Sequence, residues 1–166
     1  MTQRSSTSYL IEFANQQQSF ALIDEKRLRE IMQRVLIEEK VVAAEISIAL
    51  VDHAEMRALN KQYLNHDYNT DVLSFLLECH QEEKSSSSLR GCGKQIEGQL
   101  IVCTEMAIES AATFHWKPED ELTLYLVHGL LHLLGYDDLS ETEQQLMRKR
   151  EQQLLGIWNL KPHYAK

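Results

Sequence analysis

Two hydrophobic periods alternate along this chain and divide it into strands and helices. Residues 9–13 alternate loosely, as a strand with one buried face does, and the polar run Gln16-Gln-Gln-Ser19 closes it. From Asp24 onward, Leu28, Ile31, Met32, Val35 and Leu36 recur at spacings of three and four, which predicts an amphipathic helix to about Lys40. Residues 44–51 return to period two, with Ile46, Ile48 and Leu50 on one side. Asp52 is placed to cap a second helix over about 53–63, with Met56, Leu59, Asn60 and Tyr63 on one face. The β-rich run 72–77 and the apolar run 99–103 predict two more strands, and the polar stretch at about 79–97 reads as an exposed, inserted loop between them. A third helix begins at Thr104 or Glu105 and ends at Phe114, where Trp116-Lys-Pro118 breaks the pattern. Pro118 at a first helical position, followed by Glu119, Asp120 and Glu121, opens a fourth helix. Its residues 122–134 are apolar nearly all round, the mark of a helix buried on every side. Ser140 with Glu143 forms a capping box for a last helix, Gly156 stops it, and the tail to Lys166 is peripheral. The order strand, helix, strand, helix, strand, strand, helix, helix, helix predicts an α/β or α+β class. It implies a small mixed sheet packed with helices, in one domain spanning 1–166.

The buried fourth helix carries two histidines, His128 and His132, four residues apart. At about 100° per residue they share one face, a turn apart, where two imidazoles can grip one ion. Gly135 offers a positive-φ stop. On a continued helix Asp138 would be turned about 240° from His132. A chain that folds back after Gly135 can bring Asp137 or Asp138 to the same ion, giving three ligands and an open position. The competing reading is two core histidines held by hydrogen bonds. Each would then need its own buried partner, at a cost of about 1–3 kcal/mol if none is found; one ion satisfies both. The pattern departs from the His-Glu-x-x-His of metalloproteases, because Gly129 follows His128 and supplies no general base. Gly129 lets another backbone or a substrate come close.

Composition narrows the class without naming a chemistry. A 43% hydrophobic and 25% charged chain is ordinary for a globular domain. No apolar run nears the ~20 residues of a membrane span, and the first residues lack an apolar signal core, so the expected location is the cytoplasm. Cys79, Cys92 and Cys103 are too few and scattered for a disulfide framework and read as free thiols; a second site from Cys79, His80 and Cys92 is the weaker alternative. The net charge of −8 argues against nucleic-acid binding through overall charge and leaves only a local basic cleft for that purpose.

The segment His128-Gly-Leu-Leu-His132-Leu-Leu-Gly135-Tyr136-Asp137-Asp138 resembles the signature of the bacterial YbeY family, His-Gly-x-x-His-Leu-x-Gly-Tyr-Asp-His. A second block agrees: Arg57-Ala-Leu-Asn60-Lys-Gln-Tyr63, then Asp67, then Thr70-Asp71-Val72-Leu73-Ser74-Phe75. A third, Gly98-Gln99-Leu-Ile-Val102, is similar to the family's Gly-Asp-Ile-x-Ile strand. The resemblance implies a zincin-like YbeY metal-dependent hydrolase fold and one Zn2+ held by His128, His132 and Asp138. It also implies Arg57 as a catalytic cation. The implied activity is a single-strand-specific endoribonuclease that matures ribosomal RNA at the small-subunit 3′ end, with ribosomal RNA and the small ribosomal subunit as partners. Thr70, Asp71 and Ser74 either line the cleft or serve only the turn and strand start. Tyr136 packs beside the turn, and Asp137 orients His132 from behind.

The chain leaves the family pattern at four places: Asp138 for the third histidine, Gln99 for an acid, Leu64 for an arginine and Leu76 for a proline. Aspartate is a competent ligand with a shorter reach, and its charge makes the ion a weaker Lewis acid. Two other readings use the same residues: a non-catalytic ribosome assembly factor with a structural metal, and a metal-dependent hydrolase of another substrate. Positive charge discriminates among them. Arg57, Lys61 and Arg34 or Arg90 lining the metal cleft would favour RNA; a uniformly acidic cleft would not.

Overall fold

Among the described residues, the element order is the predicted one, in a computed structural model that describes residues 7–64, 70–81 and 87–164. The elements are β1 (Ser8–Asn15), α1 (Glu25–Glu38), β2 (Ala43–Val51), α2 (His53–Leu64), β3 (Val72–Gln81), β4 (Lys94–Cys103), α3 (Thr104–Phe114), α4 (Pro118–Leu133) and α5 (Glu141–Leu155), followed by a 3-10 turn over Gly156–Trp158. The sheet order is β1-β2-β4-β3. The first three pair in parallel, and β3 runs antiparallel along the outer edge of β4. A mixed sheet with helices is therefore the observed architecture, as the alternating pattern predicted.

Two predicted strands are longer than their apolar runs. β3 continues to Gln81 and β4 begins at Lys94, inside the stretch read as loop, and a bulge at Leu77 adjusts their register. Backbone pairing carries a polar strand here: β3 from Leu76 onward is exposed, so no apolar alternation was needed to form it. The Glu-Lys-Ser centre of the predicted loop at 82–86, like Asp67 and most of the polar connector before β3, lies outside the described residues.

Helix ends follow local chemistry, with one correction. Asp24 accepts from the Arg27 amide at the start of α1, Pro118 opens α4, and Ser140 accepts from the Glu143 amide at the start of α5. Asp52, expected to cap α2 with its side chain, instead accepts from the Gln18 amide and the Ser19 hydroxyl, tying the β1–α1 connection to β2. The first amide of α2, that of His53, donates to Glu105 at 2.9 Å. α5 ends at Leu155 with Gly156 as its C-cap, where predicted; the Gly156 φ of −59° is helical, so the chain passes into the 3-10 turn and reverses at Asn159, with φ of 58°.

The core sits where α4 crosses the sheet. Leu122, Leu126, Leu130 and Leu131 of α4 are almost fully buried, together with Met32, Val35 and Leu36 of α1 and Ile46, Ile48, Leu50, Leu100 and Val102 of the sheet. Gly129 is what lets α4 lie this close. A Cβ there would stand 3.0 Å from both Leu100 Cδ2 and Val72 Cγ2 and 3.3 Å from Ser74 Oγ. The expected close approach is thus to the sheet rather than to a substrate, and Ser74 Oγ donates to the Gly129 carbonyl at 3.2 Å. Gly129→Val is expected to lift α4 from β3 and β4 and to cost about 1–3 kcal/mol by overpacking. A thermal melt reads this as a lower midpoint, and an unchanged melt would show that the contact is soft. Among the described residues, no helix is long and apolar enough to cross a membrane.

Candidate metal centre

α4 delivers both histidines to one face because they are a turn apart, and the turn after it delivers the aspartate. The helix ends at Leu133, with Leu134 as its C-cap. Gly135 then takes φ of 104°, and the Tyr136 amide returns to the Leu131 carbonyl at 3.1 Å. Two cations hold this turn from outside: Lys94 donates to the Leu134 carbonyl at 2.7 Å and Arg90 to the Gly135 carbonyl at 2.9 Å. Arg90 also forks onto Glu143 and lies over the Tyr136 ring. Folding back here brings Asp138 to the histidines. Among the described residues, His128, His132 and Asp138 are the group of histidine, cysteine and acidic side chains whose ligand atoms converge, all within 4.8 Å of one another.

The partners of the two rings fix their tautomers. His128 Nδ1 faces the Glu151 carboxylate in a short contact, and His132 Nδ1 faces the Tyr136 carbonyl at 3.1 Å. Both partners are acceptors, so both Nδ1 atoms carry hydrogen, and the two Nε2 lone pairs point at each other across 3.1 Å. At that distance either one ring carries an Nε2 proton that the other accepts, or a cation lies between or beside the two lone pairs. Asp138 stands 3.7 Å from His132 Nε2, and its side chain is 46% exposed. Two imidazole nitrogens and one carboxylate, open on one side, are the donor set of a divalent zinc-type site with a vacant position for other ligands. The residues therefore fit the implied metal.

Glu151, which the sequence analysis missed, is the buried support of this arrangement. It is 1% exposed, holds His128 through one oxygen and accepts from the Tyr164 hydroxyl through the other at 2.8 Å. Carboxylate behind histidine behind metal is the usual way to fix ring orientation and raise ligand basicity. The tail was expected to be peripheral. Instead, Tyr164 reaches Glu151, Arg148 lies over the Tyr164 ring at 4.6 Å, and His163 stacks on Phe114. Asp137 does not orient His132 as expected. It folds onto its own backbone, accepting from the Leu139 amide at 3.0 Å, and the Tyr136 carbonyl takes the orienting role. Tyr136 itself packs beside the turn, 6% exposed, with its hydroxyl on Glu39.

The remaining predicted residues fall in three places. Asp71 lines the same cleft as His128 and Asp138 and also caps its own turn, accepting from the Val72 amide at 2.8 Å and from Thr70. Ser74 lines the neighbouring groove beside His132. Arg57 and Lys61 are exposed on α2, Arg34 pairs with Glu38 on α1, and Arg90 is committed to the turn. None of these four lines the His128 cleft; the arginine that does is Arg148 of α5. Cys79, His80 and Cys92 do not converge, and His80 pairs with Glu78.

Burial works to lower the His128 pKa, but the hydrogen bond and charge of Glu151 outweigh it and leave the group above its ordinary 6.5. Burial, with His128 beside it, pushes His132 below 6.5. In the metal-free fold, the raised His128 gains stability from protonation below pH 6.5, and loses it as pH rises through its folded pKa. Metal binding has the opposite sign, because the ion must displace that proton from Nε2. Apparent metal affinity is expected to fall about tenfold per pH unit once His128 is protonated, with one proton released per ion. Titration calorimetry in buffers of different ionisation heat measures the proton count, and a count of zero across the window would refute it.

These residues have known relatives. The family model described as endoribonuclease YbeY matches residues 12–159. The chain is 41% identical over 134 residues to the endoribonuclease YbeY of Salinibacter ruber, covering 81% of this chain and 83% of that protein. It is 37% identical over 146 residues to that of Macrococcus caseolyticus, covering 85% and 92%. The solution structure of a Thermotoga maritima protein superposes with a TM-score of 0.55 at 25% identity, covering 90% of this chain and 91% of that one. With a family model over most of its length and relatives at this identity, the chain belongs to the endoribonuclease YbeY family.

Proposed function

We propose that this chain is a metal-dependent endoribonuclease that cleaves unpaired RNA, with maturation of the small-subunit ribosomal RNA 3′ end as its task and Zn2+ as its ion. The observation that carries the reading is the pair of Nε2 atoms 3.1 Å apart beside Asp138, in a cleft lined by an arginine. His128 and His132 through Nε2, and Asp138 through its carboxylate, would hold the ion. When bound, it supplies Lewis acidity where a phosphodiester is attacked. In the net reaction a water oxygen bonds to phosphorus, the bond to the leaving ribose oxygen breaks, and the water's proton ends on that oxygen.

The chain's own groups prepare this step. Glu151 keeps the His128 proton on Nδ1 and its lone pair toward the ion, and the Tyr136 carbonyl does the same for His132. Arg148 offers a guanidinium to the phosphate from α5, and its charge matters most where the other lining groups include Asp71, Glu121 and Asp138. Arg57, which the family resemblance makes the electrostatic stabiliser, remains a proposed catalytic residue on exposed α2. The exposure of Asp138 supports catalysis over a purely structural ion, since structural sites are closed.

The test is cleavage of a structured RNA with an unpaired 3′ tail by the purified chain. Cuts are expected in the tail only, lost with chelator and restored by one equivalent of Zn2+. Arg148→Ala and Arg57→Ala are each expected to slow cleavage while metal content stays at one equivalent. Cleavage that persists in chelator would overturn the metal-dependent reading.

A further inference from the structure

The metal cleft continues well past the ligands. From His128 it runs back along α4 past Tyr125 and Leu124 to Glu121, two turns or about 10 Å. Met106, Ser110 and Phe114 of α3, spaced by four, form one wall, and Gln144, Met147 and Arg148 of α5 form the other. The tail closes it with His163 and Tyr164. The volume is about 410 Å³, inside the range of about 300–1,000 Å³ typical of small-ligand sites. Its walls are mixed in a particular way. Aromatic rings stand on two sides: Phe114 with His163 stacked on it at 6.0 Å and nearly parallel, and Tyr164 with Arg148 over it. Between them polar groups are held in place. The Tyr125 hydroxyl donates to Ser110 Oγ at 3.0 Å, and Trp116 Nε1 donates to Glu121 Oε2 at 2.6 Å, with Glu121 only 4% exposed.

The trough is of a size to admit a single nucleotide. Its length from the ion site is about the reach from a phosphate across its ribose to the far edge of its base. A paired base is stacked and cannot enter; an unpaired one can swing in and meet aromatic faces, as single-stranded RNA does on protein surfaces. Arg148 brings a guanidinium to this cleft from α5, and Ser110, Glu121 and Gln144 bring polar groups to its walls. We infer that this α3–α4–α5 trough is a base-binding subsite that takes one unpaired nucleotide of the substrate beside the scissile phosphate and makes the enzyme single-strand-specific. This rests on the RNA-cleaving reading above and adds the residues that would impose strand selection.

The experiment uses the intact chain loaded with one equivalent of Zn2+. Unpaired oligoribonucleotides carry a single abasic residue, moved one position at a time across the cut site. One position adjacent to the cut is expected to lose about tenfold in kcat/KM, as removal of one stacked base does, and the others little. In parallel, Ser110→Phe fills the trough. It is expected to raise KM about tenfold and to abolish quenching of tryptophan fluorescence by adenosine 5′-monophosphate, with metal content unchanged. RNA cleavage that is indifferent to every abasic position would overturn the subsite while leaving the nuclease reading intact. Mononucleotide binding blocked by Ser110→Phe, with no cleavage of any RNA, would instead overturn the nuclease reading and keep the pocket. Neither binding nor cleavage would overturn both.

Discussion

His132→Ala is expected to abolish stoichiometric metal uptake and RNA cleavage together, whereas Glu151→Gln is expected to weaken metal binding by about 10–100-fold and leave the fold intact. The two differ because of what each removes. His132 is half of the Nε2 pair, and without it His128 and Asp138 leave the ion only two protein ligands. Glu151 touches no ion. It sets the His128 tautomer and, through its charge, the basicity of the ring. A glutamine still accepts from His128 through its oxygen, and its NH2 can donate to the Tyr164 oxygen in the reverse sense, but the charge is gone, so the His128 pKa should drop toward and below 6.5 in the variant. Metal titration against a chromophoric chelator measures both affinities, and NMR of the histidine rings measures the tautomer. Glu151→Gln with wild-type affinity would show that the buried carboxylate is only structural.

Glu39→Ala is expected to be the most destabilising single change away from the site, at about 3–5 kcal/mol. Glu39 is completely buried at the C-terminal end of α1. Its carboxylate accepts from Arg150 of α5, from the Tyr136 hydroxyl at 3.0 Å and from the Gly91 amide at 3.1 Å. Four segments distant in sequence meet on one charge. Removing it takes the carboxylate from the Arg150 guanidinium, itself 15% exposed and left with only the neutral acceptors Gln153 and the Glu38 carbonyl, and leaves a hydroxyl and an amide without their acceptor. The Tyr136 hydroxyl, which burial and the Glu39 charge raise to about 12, would fall toward its ordinary value. In a chain of this size, a loss of that order lowers the melting midpoint by about 6–20 °C. A shift under about 2 °C would mean that water replaces the carboxylate. Since Tyr136 follows the Gly135 turn and its carbonyl holds His132, metal affinity should fall with stability in this variant.

The elements and the ligands were legible in the sequence because they depend on neighbours along the chain. The five apolar residues of α1, the histidines a turn apart on α4, the Pro118 start and the Ser140 cap all act over four residues or fewer, and each is where local pattern put it. His128, His132 and Asp138 converge for the same reason: one helical turn and one glycine turn decide their meeting. What escaped depends on segments far apart. Glu151 sits 23 residues from His128 with no motif to mark it, and on sequence it is one more acid on a polar helix. Arg148 and Tyr164 reach the cleft only because α5 packs against α4 and the tail returns after Asn159. The polar ends of β3 and β4 pair through backbone hydrogen bonds, which carry no side-chain signature. The sequence by itself determined the strand and helix order, the convergence of His128, His132 and Asp138, and the family. The tertiary structure alone decided what stands behind the ligands and what walls the cleft. A ligand's spacing is a property of its own helix, whereas the charge that orients it comes from wherever packing brings another helix to its back.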